Sequence, residues 1–254
     1  VWEWDRPNQP PVRLPRTDIV ATRFSPDGRR LLGGGRENRV LVWDATKFEL
    51  LGQFQGHTKA ILDIAFSPDG RSVATASKDG TARIWPADAF AGPRMLQDPQ
   101  QPVQCIDAAF SPDGRYLATA GGESGVIWET ATGKALHRLR VYGTALGKGL
   151  PEPKSSVESV SFSPDGRRLV AAGHNFVAGV FDVKSGRLEL TLDHASTNLN
   201  DHRVNSAVFS PDGKKIVTMN NLKVKTWDAE SGQLLRTKFY TKTKDLHTIP
   251  PVGF

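Results

Sequence analysis

The stretch "SPDGRR" at residues 25–30 returns four times, as "SPDGRS" from residue 67, "SPDGRY" from 111, "SPDGRR" from 163 and "SPDGKK" from 210. Proline presets φ at the second position of a turn, aspartate is tolerated at the third, and glycine accepts a positive φ at the fourth. The motif therefore predicts a tight corner between two strands. No catalytic partner repeats beside its aspartate, so we interpret the corner as structural.

Two aromatic positions recur at fixed distances from this corner. A phenylalanine precedes each serine, and a second aromatic follows 17 or 18 residues later, at Trp43, Trp85, Trp128, Phe181 and Trp227. Short, partly β-branched runs such as "ILDIAF" and "TARIW" lie between turn residues, as is typical of strands. The five serines are 42, 44, 52 and 47 residues apart. A period of about 40–45 residues predicts a four-stranded propeller blade.

These marks resemble the WD40-repeat family of β-propellers, and the resemblance covers nearly the whole chain. It is carried by Trp43-Asp44 and Trp227-Asp228, by the weaker pairs Trp128-Glu129 and Phe181-Asp182, and by Gly56-His57. The "FSPDG" form is similar to the repeats of bacterial members. Periplasmic propellers of the translocation type also use SPDG, but the aromatic spacing favours the WD40 interpretation.

The resemblance implies an all-β fold and one propeller domain over residues 1–254. We expect five complete blades of four antiparallel strands, at about 17–54, 55–98, 99–141, 150–193 and 200–238. Residues 1–16, with Trp4-Asp5, look like the tail of an earlier blade, and residues 239–254 form a C-terminal tail. Propellers of this family usually close with seven blades, which removes exposed sheet edges. We therefore expect a part of a larger, seven-bladed propeller.

Composition limits the possible classes of function. The formal charge is +6, but eight basic and five acidic residues at the repeated corners account for half of it. A solvated rim is therefore favoured over a nucleic-acid surface. The single cysteine, Cys105, excludes an intrachain disulfide framework, and we expect a buried, inert thiol. No signal peptide or membrane-spanning run is visible, so we expect a cytoplasmic protein that does not bind membranes.

The second repeat contains a constellation that resembles a hydrolase triad, formed by His57, Ser77 and Asp79. These residues also match a structural tetrad of the WD40 family. In that tetrad the indole N–H of Trp85 donates to Ser77, Ser77 bonds His57, and Asp79 holds His57. No exposed nucleophile elbow or oxyanion hole is indicated, so we favour the structural interpretation.

The other repeats lack this combination. Glycine stands at the serine position in three of them, at Gly35, Gly121 and Gly173, and the aspartate is approximated by Glu37, Glu123 and Asn175. We expect these blades to depend more on apolar packing. A propeller enzyme with a central metal would need inward carboxylates or histidines from several blades, but these residues fit the structural network better.

Two further motifs are weak. "GTALGKG" at 143–149 is one residue shorter than a phosphate-binding loop and has glycine where the Mg²⁺-binding hydroxyl belongs. The group His194, His202, Asp193 and Asp201 has no short metal-ligand spacing, so we interpret these as polar loop residues. We therefore predict no cofactor, no metal site and no small-molecule substrate.

The long repeat intervals predict where a partner binds. The extra residues fall in the connections 140–158 and 193–204, which should emerge on the same face as the turns between second and third strands. Candidate partner-binding residues on this face are Arg36, Lys59, Lys78, Tyr142, Lys148, His174 and His202.

We predict a non-catalytic scaffold that presents this face to a protein or peptide. The alternative is a regulatory or sensor propeller of a larger enzyme, such as a bacterial protein kinase, because the chain starts at valine within a blade.

Overall fold

The computed structural model describes residues 18–89, 92–97, 104–142, 156–173, 176–194 and 203–239. These residues form twenty strands in five antiparallel sheets of four, and no helix lies among them. The predicted all-β, four-stranded architecture is therefore confirmed. None of these residues belongs to a helix long and apolar enough to cross a lipid bilayer. The predicted blade tail at 1–16 lies outside the described residues.

Each sheet is a blade whose strands follow one another in chain order. Blade 1 contains β1 (Ile19–Phe24), β2 (Arg30–Gly35), β3 (Arg39–Asp44) and β4 (Leu50–Gln55). Blade 2 contains β5 (Ile61–Phe66), β6 (Ser72–Ser77), β7 (Ala82–Pro86) and β8 (Arg94–Leu96). Blade 3 contains β9 (Asp107–Phe110), β10 (Tyr116–Gly121), β11 (Ser124–Glu129) and β12 (Ala135–Leu139).

The last two blades repeat this plan. Blade 4 contains β13 (Ser159–Phe162), β14 (Arg168–Ala172), β15 (Val177–Asp182) and β16 (Leu188–Asp193). Blade 5 contains β17 (Ser206–Phe209), β18 (Lys215–Met219), β19 (Lys223–Asp228) and β20 (Leu234–Phe239). The first strand of each blade packs against the first strand of the next, so these inner strands form the centre of the assembly.

The hydrophobic core lies between blades. Successive residues of a strand point to opposite faces, so a central strand that is apolar throughout makes both faces of its sheet apolar. Leu32 and Val42 of blade 1 pack with Ile64 and Trp85 of blade 2 in one buried cluster. Similar clusters join blades 2 and 3, 3 and 4, and 4 and 5. Each interface is thus a layer of side chains from two neighbouring sheets.

The SPDG motif forms the predicted corner between first and second strands. In blade 1 the Gly28 N–H donates to the Ser25 carbonyl over 2.9 Å, and Gly28 has a φ of 70°. The Ser25 hydroxyl donates to Asp27 and accepts the Arg30 N–H over 2.9 Å. Hydrogen bonds from Ser25 and from the Arg29 N–H lower the pKa of Asp27. The aspartate is therefore used in the turn, which confirms that the corner is structural.

Adjacent corners touch each other. A Cβ added to Gly70 would lie 3.6 Å from Cδ of Pro26, and one added to Gly213 would lie 3.5 Å from Cδ of Pro164. The corners of blades 3 and 4 repeat this contact. The proline of one blade thus covers the glycine of the next, and the five corners form one continuous row.

Arginines in the second strands connect blades across this row. The Arg30 guanidinium donates to the Ala87 carbonyl over 2.8 Å and pairs with Asp88 over 2.8 Å. The Arg168 guanidinium donates to the Ala229 carbonyl at the equivalent place in blade 5. Both arginines are the second residue after SPDG, so the second basic residue of these two motifs connects neighbouring blades.

The aspartate of the WD pair supports the turn between third and fourth strands. Asp44 accepts the backbone N–H groups of Thr46 and Lys47, each over 2.8 Å. Asp228 accepts the Ser231 N–H over 2.8 Å in the same way. Asp182 accepts the Ser185 N–H over 2.7 Å in blade 4. These bonds satisfy backbone donors at the strand end, which explains why an aspartate follows the aromatic in three of the five blades.

We predict that Ser111→Ala lowers the free energy of unfolding by about 1–3 kcal/mol, since a fully buried hydroxyl would be lost and the Tyr116 N–H left unpaired. Urea unfolding measures this change. Ser210→Ala is the matched control, because Ser210 makes the same bonds at a more exposed corner where water can replace them. Equal losses in both variants would contradict this explanation.

Candidate functional site

A buried chain of hydrogen bonds crosses blade 2 beneath the predicted partner-binding face. The Trp85 indole N–H donates to the Thr75 hydroxyl over 2.9 Å, and this hydroxyl lies 2.7 Å from Nε2 of His57. Nδ1 of His57 lies 2.8 Å from a carboxylate oxygen of Asp79. With the imidazole proton on Nδ1, Asp79 accepts that proton and Nε2 accepts the proton of Thr75. The indole N–H, the threonine hydroxyl and both imidazole nitrogens of this network then each have a hydrogen-bond partner.

The prediction that Ser77 bridges Trp85 and His57 is wrong, because Thr75 occupies that place. Trp85 pairs with Val73 across the strands, so the nearest hydroxyl on the same face is two residues further, at Thr75. The Ser77 hydroxyl instead bonds the carbonyls of Lys59 and Ala60, each over 3.0 Å. Ser77 therefore anchors the connection that carries His57.

The electrostatics fit a structural role. Burial alone would raise the pKa of Asp79, but hydrogen bonds from Thr81, His57 and the Thr58 N–H outweigh it and lower the pKa to about 2. Burial lowers the pKa of His57 despite the neighbouring carboxylate. Asp79 is thus ionised and His57 neutral at physiological pH. The hydroxyl that His57 contacts is wholly buried and already accepts the indole proton, so the geometry does not support a hydrolase triad.

Parts of this hydrogen-bond network recur in blades for which the sequence did not predict it. The indole N–H of Trp128 donates to Thr119 over 2.8 Å, and that of Trp227 donates to Thr218 over 2.7 Å. In blade 4 the aromatic is phenylalanine, which has no N–H to donate. Blades 3 and 5 therefore share the tryptophan–threonine bond of blade 2, which was not predicted for them. The signal in the sequence is a threonine 9 or 10 residues before each of these tryptophans.

His194 does not lie where the sequence predicts it. The prediction of a polar loop residue is wrong, because His194 is fully buried and its Nε2 lies 2.5 Å from the Thr218 hydroxyl. Burial, reinforced by the charges of Lys225 and Lys223, lowers its pKa to about 3. His194 thus occupies in blade 5 the place of His57. Asp201 and His202 lie outside the described residues, which contain no group of three potential metal ligands.

The path of the incoming connection explains the glycines at the serine position. A Cβ on Gly35 would lie 1.8 Å from the Asp18 carbonyl oxygen, and one on Gly121 would lie 2.0 Å from that of Gln104. Gly173 has the same restriction against Ser156. The incoming connection runs directly over these positions, so they require glycine and do not mark a lost tetrad.

Three predicted partner-binding residues lie together where blades 1 and 2 meet. Arg36 and Lys78 are exposed and occupy the same position in the turns after β2 and β6. Lys59 is exposed in the connection between the blades, and the Lys78 N–H donates to the next carbonyl, that of Ala60, over 3.0 Å. The side-chain amide of Asn38 donates a hydrogen bond to the Thr58 carbonyl over 3.2 Å, which joins the turn after β2 to the same connection. We call Arg36, Lys59 and Lys78 the basic cluster.

The remaining candidates are spread more widely. Tyr142 follows the last strand of blade 3 and is 57% exposed, with its hydroxyl 3.3 Å from the Arg140 guanidinium. Lys148, His174 and His202 lie outside the described residues, as does the "GTALGKG" loop. Cys105 is buried, and burial followed by the charges of Asp107 and Asp63 raises the pKa of its thiol. This agrees with the expected inert thiol.

We predict that Thr75→Val destabilises the chain more than Thr119→Val does. The first substitution leaves both the Trp85 N–H and the His57 nitrogen without a partner, at about 1–3 kcal/mol for each buried group, whereas the second strands only the Trp128 N–H. Thermal and urea unfolding of both variants provide the comparison. A Thr75→Val protein as stable as Thr119→Val would refute the proposed role of His57.

The comparison with protein families agrees with this geometry. The model of the family described as WD40, "WD domain, G-beta repeat", matches residues 14–44, 48–86, 94–129 and 145–182, which is more than half of the chain. A search of curated proteins found no match. Repeats of this type generally mediate protein–protein interaction and are typically non-catalytic. On the strength of these matches and of the four-stranded blades, the chain belongs to the WD40-repeat family.

Proposed function

We propose that the chain is a non-catalytic scaffold that binds an acidic segment of a protein partner at the basic cluster. The observation that carries the proposal is the position of Arg36, Lys59 and Lys78, exposed and adjacent on one face. Glu37 and Asp79 are the acidic residues nearest in sequence to the basic cluster, and both carboxylates already accept hydrogen bonds from other residues. Glu37 accepts two hydrogen bonds from Arg39, and Asp79 accepts those of the buried network.

The network beneath the cluster supports this function by fixing the backbone. Asp79 accepts the N–H of Thr58, one residue before Lys59, and its own N–H donates to Ser77, one residue before Lys78. Rigid presentation reduces the entropy that is lost when a partner binds. The cluster is therefore built on fixed elements, although its side chains are exposed.

We expect the triple variant Arg36→Glu/Lys59→Glu/Lys78→Glu to lose affinity for acidic peptides by at least about tenfold at low salt, because attraction becomes repulsion. An array of synthetic peptides ranging from strongly acidic to strongly basic, probed with the full chain, measures this change. Binding by the unaltered chain should weaken as the salt concentration rises.

Arg71→Glu is the matched control, because it reverses an exposed charge of the same blade at the SPDG corner. Arg71 precedes β6 and Lys78 follows it, so the two lie at opposite ends of this strand. It should leave peptide binding unchanged. The proposal fails if the array shows no preference for acidic peptides, or if the control loses as much affinity as the triple variant.

We also infer that blade 1 packs against a further blade of a larger propeller. Phe162 and Phe209, which precede the corners of blades 4 and 5, are 9% and 6% exposed, but Phe24 is 54% exposed. Among the residues that the structure describes, no atom lies within 4 Å of a Cβ added to Gly28, whereas the other four corner glycines have a proline of the preceding blade at this distance. Both differences support a missing neighbour on this side of blade 1.

In the present chain we expect Phe24→Ala to change the unfolding free energy little, while Phe162→Ala costs about 3–5 kcal/mol. In a longer chain that supplies the neighbouring blade, Phe24→Ala should approach the cost of Phe162→Ala. Urea unfolding of both variants in both chains tests this inference. A Phe24→Ala variant that stays neutral in the longer chain would refute it.

A regulatory propeller of a larger enzyme would use the same face. The reading frame that encodes the parent protein distinguishes this alternative, since it would contain the catalytic domain.

A further inference from the structure

Two aspartates occupy the same position in neighbouring inner strands. Asp63 of β5 and Asp107 of β9 each precede the phenylalanine of the corner by three residues. The two strands pack against each other, and Asp63 is only 8% exposed. The other three blades have Ala21, Ser159 and Ser206 at this position. The acids are therefore a particular feature of blades 2 and 3.

Both carboxyl groups connect blades. Asp63 accepts a hydrogen bond from the Arg23 guanidinium over 3.0 Å and one from the Ala108 N–H over 3.2 Å. Asp107 accepts the Val160 N–H over 2.9 Å. These bonds join the inner strands of the first four blades in order. The pair is thus part of the structure that holds the blades together.

The Asp63 carboxylate accepts the N–H of Ala108, the residue next to Asp107, and this bond brings the two carboxyl groups close together. Two carboxylates at such a distance cannot both be ionised without strong repulsion, and a shared proton removes it. Burial, followed by the negative charge of Asp63, raises the pKa of Asp107 well above its ordinary value. Arg23 supplies one positive charge, so a single proton makes the group of three neutral.

The surrounding elements provide little other charge. From β1 comes Arg23, whose side chain is 50% exposed. The residues before β9 contribute the buried thiol of Cys105, which is uncharged because its pKa is raised. The strands β6 and β13 contain no ionisable side chain, although Glu158 directly precedes β13. The strand β2 contains only Arg30 and β10 only Tyr116, each at its corner end.

We propose that Asp63 and Asp107 share one proton at neutral pH, and that this carboxylic acid–carboxylate pair is a pH-sensitive latch between blades 2 and 3. While the proton is present, one carboxyl donates to the other and both keep their backbone partners in the next blade. Loss of the proton at higher pH places two anions side by side and weakens this interface. The latch is independent of the basic cluster and of any partner bound there.

The direction of the pH dependence follows from the raised pKa of Asp107. The unfolded chain releases this proton near the ordinary value of 3.8, while the folded chain retains it. The stability contributed by the proton is therefore complete below about 3.8 and is lost as the pH rises to the folded value. Within that window the folding equilibrium constant should fall by up to about tenfold per pH unit.

The test is urea unfolding of the full chain between about pH 5 and 9, with Asp107→Asn compared with the unaltered protein. The amide resembles the protonated acid, can donate to Asp63 and can accept from Val160, but it does not titrate. We expect the variant to lose the decline that the unaltered chain shows as the pH rises.

Asp113→Asn is the matched control. It makes the same chemical change at an exposed corner, where hydrogen bonds lower the pKa, so this residue is ionised in folded and unfolded chains throughout the range. Its pH profile should run parallel to that of the unaltered protein. Histidine titration is common to all three proteins and cancels in the comparison.

Carboxyl ¹³C NMR of the unaltered chain gives a second measurement that does not depend on the variant folding. A protonated aspartate signal should be present at pH 7 and absent from Asp107→Asn. Ionised signals for both residues at pH 7 would overturn the proposal, as would a pH profile for Asp107→Asn that parallels that of Asp113→Asn.

Discussion

A four-stranded sheet with two apolar faces must be covered on both sides, and this constraint organises the molecule. Leu169 and Val170 are adjacent in one strand and point to opposite faces, and both are fully buried, Leu169 against blade 3 and Val170 against blade 5. No blade can bury both of its faces alone, because burial on each side needs a neighbouring sheet. The stability of the chain therefore depends on interfaces between blades more than on any single blade.

Polar contacts fix the angle and order of these apolar layers. Corner prolines cover the next corner glycine, Arg30 and Arg168 reach a carbonyl of the following blade, and Asp63 and Asp107 bond backbone N–H groups there. Each contact joins residues more than 40 positions apart in the chain. They act at both the corner edge and the inner strands, so a blade cannot slide or tilt without breaking several of them.

The proposed partner-binding face lies directly above the buried network. Asp79 is ionised and holds His57 below, while its neighbours carry the exposed charges of Lys59 and Lys78 above. In blade 5, His194 contacts the Thr218 hydroxyl as His57 contacts that of Thr75 in blade 2. Blade 4 has phenylalanine in place of the tryptophan and needs no such acceptor. The blades are thus equivalent in backbone but differ in their buried polar chemistry, which allows each to carry a different surface.

The sequence alone determined the repeat, the corner and the four-strand module, because turn residues and alternating apolar residues act over a few positions and leave a direct pattern. It also located the basic cluster, since its residues follow the turn between second and third strands. It did not decide between Thr75 and Ser77, explain Gly35, reveal His194 as buried, or bring Asp63 to Asp107. Each of these depends on which atoms meet across strands, connections or blades. Only the tertiary structure sets those distances, because two hydroxyls on the same face of a strand are equivalent in sequence until a tryptophan from the neighbouring strand reaches one of them.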